Sequence, residues 1–395
     1  MARPAFAPWL GQTNAVTAGF LAAGNIPGMI NMGGGLPAPE TFPVAELADL
    51  AAQAVRDHPA ETLGYGPVPG LPALRAAIAA RFSRGNLHLT AANVLITTAG
   101  MQALDLIGKV LLTPGAVIAS QSPTYLGALD AWRPHGPVYR PMRLEDNDFD
   151  PLTALTGAQF GYSVPNFSNP TGRLVSLGQR QTLVDAALTS GTWLVEDDPY
   201  GGLHYDGPAL PRLLDLAGDG QLGGAPYDGP IIYMGTLSKE IVPGLRVGWI
   251  IAAPAMITAL GMAKQGSDMC TSGLTQHIAL AALNAGLIEQ IQPGVLDLYR
   301  TRRDALLRAM EAHLTPWFDW DKPSGGMFVW ATARDPGLDT DALMTRASAC
   351  GVTVTPGSVF DPMGQDRRSI RINFTHNPPE MLAEGVARLA KALQG

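Results

Sequence analysis

Thr236-Leu237-Ser238-Lys239 is followed closely by Pro243-Gly244-Leu245-Arg246 and the apolar run Val247–Ile251. An amine set among hydroxyls, ahead of a glycine-positioned arginine, is what pyridoxal 5′-phosphate (PLP) needs to be held covalently. Lys239 would bond to the aldehyde, while Thr236, Ser238 and Arg246 bring donors and positive charge to the phosphate ester. Arginine suits a phosphate because its planar fork presents paired donors. Taken alone, a lysine near a turn is more often a solvated surface charge, so the neighbouring segments decide the matter.

Outward from this stretch, short β-rich runs alternate with helical spacing. Val94–Thr98, Ala116–Ser120, Gln159–Val164, Trp193–Glu196, Ile231–Met234 and Val247–Ala252 read as strands, and Met101–Leu112, Ser176–Thr189 and Pro254–Lys264 as intervening helices. Such alternation predicts an α/β fold whose largely parallel sheet carries helices on both faces, with its site at the carboxyl ends of the strands. The pattern ends near Gln290-Ile291-Gln292-Pro293. Beyond it, Val295–His313 reads as a long amphipathic helix and the remainder as a separate α+β unit. The loop-rich residues before about Ala45 join that smaller unit in this reading.

The strand ends carry chemistry. Thr97-Thr98-Ala99-Gly100-Met101-Gln102 spans a strand-to-helix junction whose backbone amides can cradle a phosphate, although an ordinary tight turn accounts for it equally. Tyr125, in Ser122-Pro123-Thr124-Tyr125, can lie against a cofactor ring or simply fill the core. In Pro165-Asn166-Phe167-Ser168-Asn169-Pro170-Thr171-Gly172, the proline biases Asn169 away from helix and can aim its amide at a phenolate oxygen; a plain Asn-Pro turn is the alternative. Glu196-Asp197-Asp198-Pro199-Tyr200 places carboxylates where one can pair with a pyridine nitrogen and keep it protonated, and Tyr200 where it can reach the phenolate oxygen. Acids at strand ends also cap helices or bind metals. Arg371, in Ser369-Ile370-Arg371-Ile372-Asn373-Phe374, can grip a carboxylate with two parallel bonds if it faces inward.

Composition narrows the classes. Hydrophobic residues make up 46% of the 395 residues and charged residues 15%, a balance that favours a well-buried enzyme over a disordered chain. The formal charge of −7 and the lack of a basic run leave no footprint for nucleic acid. Cys270 and Cys350 are the only cysteines, and no histidine cluster accompanies the acids at 196–198, so neither disulfides nor a metal is expected. Met1-Ala2-Arg3-Pro4 lacks an apolar signal core and no run is long enough to span a bilayer, so a soluble cytoplasmic protein is expected, with no membrane partner.

Together these segments resemble the class I and II aminotransferases of PLP fold type I. Within that family they look like the 2-aminoadipate aminotransferase group and the aminotransferase-like half of MocR-type regulators. The likeness extends to Gly34-Gly35-Leu36-Pro37-Ala38-Pro39-Glu40, to Gly64-Tyr65-Gly66 with Gly70-Leu71, and to Glu196-Asp197-Asp198-Pro199-Tyr200, and runs from about Gly33 to Phe374. The resemblance implies a large domain over 46–293 with a mostly parallel seven-stranded sheet sandwiched by helices. A smaller α+β domain follows over 294–395, and the segment 1–45 is associated with it and with the active site.

By the same resemblance, Lys239 is the covalent anchor and proton carrier, and Asp197, three before Tyr200, is the pyridine-nitrogen partner in preference to Asp198. Asn169 and Tyr200 hold the phenolate oxygen, and Tyr125 stacks on the ring. Gly100, Met101, Thr236, Ser238 and Arg246 surround the phosphate. Tyr65 reaches the phosphate of a neighbouring subunit, which implies a homodimer with shared sites. Arg371 takes the substrate carboxylate, with Asn169 beside it and Gly35 lining the substrate side.

Met101 stands where the family often has a polar residue, and Leu237 where phenylalanine is common. No lysine or arginine occurs between Arg3 and Arg56, a stretch where acid-specific members often carry an arginine; Phe20, Leu21, Ile26 and Met29 are apolar candidates for lining it, and ordinary core packing accounts for them equally. The expected reaction is therefore ping-pong transfer of an amino group from a neutral aliphatic or aromatic L-amino acid to a 2-oxo acid. The same residues serve PLP-dependent β-lyases, decarboxylases and acyl-condensing enzymes, and a non-catalytic PLP-binding regulatory domain is a further alternative. The regulator is disfavoured because too few residues precede Gly33 for a helix-turn-helix domain.

Overall fold

The structure, a computed structural model, describes residues 5–12, 26–146, 148–218 and 225–394. Its largest sheet is built from β1 (Val94–Thr97), β2 (Val117–Gln121), β3 (Val138–Met142), β4 (Phe160–Ser163), β5 (Trp193–Asp197), β6 (Ile231–Thr236) and β7 (Gly248–Ile251). Their order across the sheet is β1-β7-β6-β5-β4-β2-β3. β7 runs antiparallel to both its neighbours, and the remaining pairs are parallel.

With both faces covered, period-two alternation explains why the runs other than β3 are mainly apolar. Leu95, Ile118, Val195, Ile232 and Ile250 enter one core, and Val94, Ile96, Ala119, Leu194, Ile231 and Ile251 enter the other. Helices cover both faces, among them Ala99–Leu111, Leu177–Ser190 and Pro254–Gln265. Ser176 caps the second of these, its hydroxyl accepting from the Gln179 amide while the Gln179 side chain reaches back. The expected strands and helices are present with ends shifted by one or two residues.

β3 lies outside the sequence expectation. It stands at one edge of the sheet, mostly half-exposed and interrupted by Pro141, and lacks the buried apolar run that marks the others, β1 at the opposite edge included. The long helix also differs from expectation: it begins at Leu287, runs to His313 and contains Pro293. Proline there removes one backbone bond, but Leu287 and Ile288 before it and Tyr299, Leu306 and Met310 after it are buried. Tertiary packing outweighs the local cost.

A four-stranded antiparallel sheet orders Thr355–Pro356, Ser369–Asn373, Phe328–Ala333 and Phe318–Trp320. Helices Thr340–Ala349 and Pro379–Gln394 accompany it. Ile30–Asn31 pairs in parallel with Val352–Thr353, tying the early chain to this unit. Among the described residues, no helix is long and apolar enough to cross a membrane.

Candidate active site

The carboxyl ends of β1, β2, β4, β5 and β6 open onto one cavity, as the rule for open parallel sheets requires. The cavity, of about 180 Å³, is lined by Gly100, Met101, Tyr125, Asn169, Asp197, Tyr200, Thr236, Ser238, Lys239 and Arg246, together with Ala99, Leu104, Val164, Pro199 and Pro243. Arg246 reaches it from the start of β7, whose reversed direction puts its amino end here.

Lys239 follows β6 on the turn opened by Thr236. Its Nζ donates to the Gly35 carbonyl at 2.8 Å. Burial lowers its pKa to about 8, and the guanidinium groups of Arg246 and Arg371 add to the effect. At pH 7 about a tenth of such lysines are neutral, against fewer than about one in a thousand at the ordinary pKa.

Strand parity separates the three consecutive acids. Asp197, in phase with Val195, turns to the cavity face, where it accepts from the Tyr162 hydroxyl at 2.7 Å. Burial raises its pKa to about 7, the Tyr162 bond opposes the rise, and Asp198 adds to it. Asp198 lies on the other face and accepts from Asn166 Nδ2 at 2.8 Å and the Tyr233 hydroxyl at 3.1 Å. Glu196 accepts the amides of Leu213 and Leu214, both at 2.9 Å. The helix-capping alternative for acids at this strand end thus applies to Glu196, and no metal need be invoked for it.

Asn169 sits between two functional groups. Its Nδ2 donates to the Tyr200 hydroxyl at 3.4 Å, and its Oδ1 accepts from Arg371 Nη1 at 2.6 Å. Arg371 lies on a central, wholly buried strand of the smaller sheet rather than at an edge. Its Nη2 donates to the Gly33 carbonyl at 2.5 Å, and its guanidinium stands 4.3 Å from the Phe328 ring centre and 4.7 Å from that of Phe360. Burial lowers its pKa to about 10, so it keeps its charge at neutral pH.

The floor near Arg246 is shaped by unusual backbone. Ala99 opens the helix Ala99–Leu111 at φ +61°, and Arg246 has φ +51°. Such strain persists only where the surroundings enforce it, and it clusters at functional sites. Gly248 lets the two segments meet: a Cβ there would lie 3.0 Å from Ala99 Cα and 2.9 Å from the Gly235 carbonyl. The Thr98 amide donates to Gln102 Oε1 at 2.7 Å, and the buried Lys264 donates to Gln102 and Asp268. Ser238 is held by its amide, which donates to Thr236 Oγ1 at 3.1 Å. Tyr125 stands over the same floor, its hydroxyl 3.7 Å from Met101 Sδ, and burial raises its pKa to about 12.

These donors suit PLP. A lysine with a lowered pKa, a buried carboxylate that a pyridinium would relieve, the Asn169–Tyr200 pair for a phenolate oxygen, and hydroxyls, a guanidinium and a helix start for a phosphate all face one space. Some expected residues lie elsewhere. Tyr65 is 88% exposed and outside the cavity, and Ile26 and Met29 do not line it. Phe20 and Leu21 lie outside the described residues. Tyr162, Phe328 and Phe360 were not expected from sequence. For Tyr162 the signal was parity, since it shares a sheet face with Val195 and Asp197 on the adjacent strand.

A seven-stranded sheet of this order with a lysine after its sixth strand and a carboxylate at the end of its fifth defines a PLP enzyme of fold type I. Residues 27–389 match the family model for aminotransferase class I and II, and the chain belongs to that family. It is 36% identical over 377 residues to aromatic-amino-acid aminotransferase 1 of Thermococcus litoralis, covering 93% of this chain and 88% of that one. It is also 36% identical over 375 residues to the 2-aminoadipate transaminase of Thermus thermophilus, covering 93% and 91%. Among solved structures, the α-aminoadipate aminotransferase of Thermus thermophilus, in complex with N-(5′-phosphopyridoxyl)-L-leucine, superposes with a TM-score of 0.89 at 35% identity, covering 99% of this chain and 97% of that one. The protein is a PLP-dependent aminotransferase with an amino acid and a 2-oxo acid as its substrates.

Proposed function

We propose that Lys239 binds the cofactor and shuttles the proton in transfer of an amino group from a neutral L-amino acid to a 2-oxo acid. The convergence of Lys239, Asp197, Asn169 and Tyr200 on one cavity, with Arg371 bonded to Asn169 behind it, carries this assignment. When bound, PLP supplies an electron sink for the bond broken at the substrate α-carbon. Asp197, oriented by Tyr162, keeps the pyridine nitrogen protonated. Asn169 and Tyr200 hold the phenolate oxygen, and Tyr125 covers the ring. Thr236, Ser238, Arg246 and the amides of Gly100 and Met101 bind the phosphate. Arg371 takes the α-carboxylate with its paired donors, while Gly35 borders the substrate. Lys239, as a neutral amine, would remove the α-proton and later return a proton.

Replacing Tyr162 with phenylalanine tests the orienting role. The hydroxyl favours the ionised form of Asp197, so its loss raises that pKa further. A bond to a charged group is worth about 1.5–3 kcal/mol, so kcat is expected to fall about tenfold or more. The acid limb of the kcat profile should move to higher pH; an unchanged profile would rule the role out.

Neutral donors are favoured because the cations that line the cavity, Lys239 and Arg246, and Arg371, bonded to its lining residue Asn169, each have a task, and the sequence supplies no other between Arg3 and Arg56. A second substrate carboxylate would be buried without a partner. The leucine adduct in the Thermus structure and the aromatic substrates named for the Thermococcus relative agree with this preference, whereas aminoadipate, in the names of both that Thermus structure and the Thermus relative, opposes it. In kcat/KM comparisons, leucine, phenylalanine or methionine should exceed 2-aminoadipate by about tenfold or more. A clear lead for 2-aminoadipate would overturn the preference.

The functional unit in this proposal is a homodimer in which Tyr65, exposed in the single chain, reaches the phosphate of the partner. The chain divides into an N-terminal segment 1–45, a large domain 46–293 and a small domain 294–395, with the helix Leu287–His313 shared across the second boundary. The free thiols of Cys270 and Cys350 suit a cytoplasmic location.

A further inference from the structure

We propose that His58, Glu61 and His277 form a binding site for a divalent transition-metal ion of the zinc type. It lies apart from the catalytic cavity, and the inference does not depend on the transamination chemistry. His58 caps and Glu61 lies within the short helix Pro59–Leu63, and His277 lies in the first turns of the helix Gly273–Asn284. One ligand atom from each residue lies within 4.8 Å of those of the other two. His277 Nε2 and Glu61 Oε2 are already 2.9 Å apart. The His58 ring stacks on that of His277 with centres 4.5 Å apart and planes 24° apart.

Zinc–nitrogen and zinc–oxygen bonds of about 2.0–2.1 Å place tetrahedral ligands about 3.3 Å from one another. The pair is close to that separation, and His58, whose side chain is exposed, would have to turn out of the stack to aim a ring nitrogen at the ion. The rest of the frame is fixed. His277 is 7% exposed, and a Cβ on Gly273 would lie 2.0 Å from the Glu61 carbonyl, so the two backbones are in direct contact.

A histidine–glutamate hydrogen bond by itself needs no second imidazole. His58 supplies one, and its ring nitrogens make no hydrogen bond among the described residues. Two imidazoles and one carboxylate form a donor set for zinc, cobalt, nickel or copper, and not for calcium or magnesium, which prefer oxygen throughout. The ion would replace the proton shared by His277 and Glu61 and leave a coordination position for water. It would clamp the segment leading to Tyr65 onto the helix Gly273–Asn284.

The test is a titration of Co²⁺ into untagged, EDTA-treated, PLP-loaded full-length protein, read by the visible d–d bands of a tetrahedral site and by the metal retained on dialysis. The expected result is one ion per chain in the wild type and none in His58→Ala or His277→Gln, with PLP content unchanged in both. Zinc should also raise Tm in the wild type and in neither variant. His58→Ala alters an exposed side chain, so it keeps the test valid should His277→Gln fold poorly. Absence of the bands, or bands that survive His58→Ala, would overturn the site: the first leaves a plain Glu61–His277 hydrogen bond, and the second puts the metal elsewhere.

Discussion

In the Lys239→Ala protein, kcat is expected to fall by at least about 10⁴-fold. Loss of a positioned proton carrier alone costs about 10²–10⁴-fold, and loss of the covalent anchor adds to it. The fall corresponds to about 5.5 kcal/mol or more of transition-state stabilisation. Lys239→Arg should be as inactive. The amine works because burial with Arg246 and Arg371 brings its pKa to about 8, leaving a usable neutral fraction near pH 7. A guanidinium in its place stays protonated at any working pH. Since the base must be neutral, the wild-type rate should rise with pH through the lysine's titration, and that limb should vanish in both variants. Steady-state assays over many turnovers decide the matter: a Lys239→Ala enzyme within about tenfold of wild type would remove Lys239 from the chemistry.

Asp197→Asn should lower kcat by about 10³-fold and weaken PLP binding, since removing one member of a buried charge pair costs about 3–5 kcal/mol. Asp198→Asn is the control that gives the experiment its force. Asp198 is equally buried and adjacent in sequence, but it bonds to Asn166 and Tyr233 on the opposite face of the sheet. Its replacement should leave kcat within a few-fold and lower stability instead, by about 1–3 kcal/mol for a partly unsatisfied buried network. Equilibrium PLP titration, kcat with saturating PLP, and denaturant melts separate the two effects. A larger loss of kcat in Asp198→Asn than in Asp197→Asn would invert the assignment.

The large sheet was legible because a strand buried on both faces is apolar along most of its length, as Val94–Thr97 and Ile231–Thr236 are up to their closing threonines. Val138–Met142, half-exposed at one edge, needs no such run and was hidden for that reason. Pro293 read as a boundary because proline costs a helix one bond, a local cost that the burial on either side of it overcomes. At the site, residues on the loops that leave the strands were legible from their type and order. Those that orient them were not. Tyr162 sits inside a strand, where a tyrosine reads as core, and its link to Asp197 depends on parity across two strands. Phe328 and Phe360 flank Arg371 from positions far from it in the chain or on a separate loop, and nothing local marks them. His277 is 216 residues from Glu61, a separation that sequence inspection could not bridge.

The central claim is that this chain itself carries an amino group between acids on a cofactor held by Lys239. The most direct measurement follows the absorbance of the purified, PLP-loaded protein as a single neutral amino acid is added without any oxo acid. The expected result is loss of the lysine-bound PLP band and growth of the pyridoxamine phosphate band, reversed on adding a 2-oxo acid. A band that shifts without converting would contradict transamination and point to lyase, decarboxylase or sensing behaviour, and no lysine-bound band with Lys239 intact would contradict the cofactor assignment.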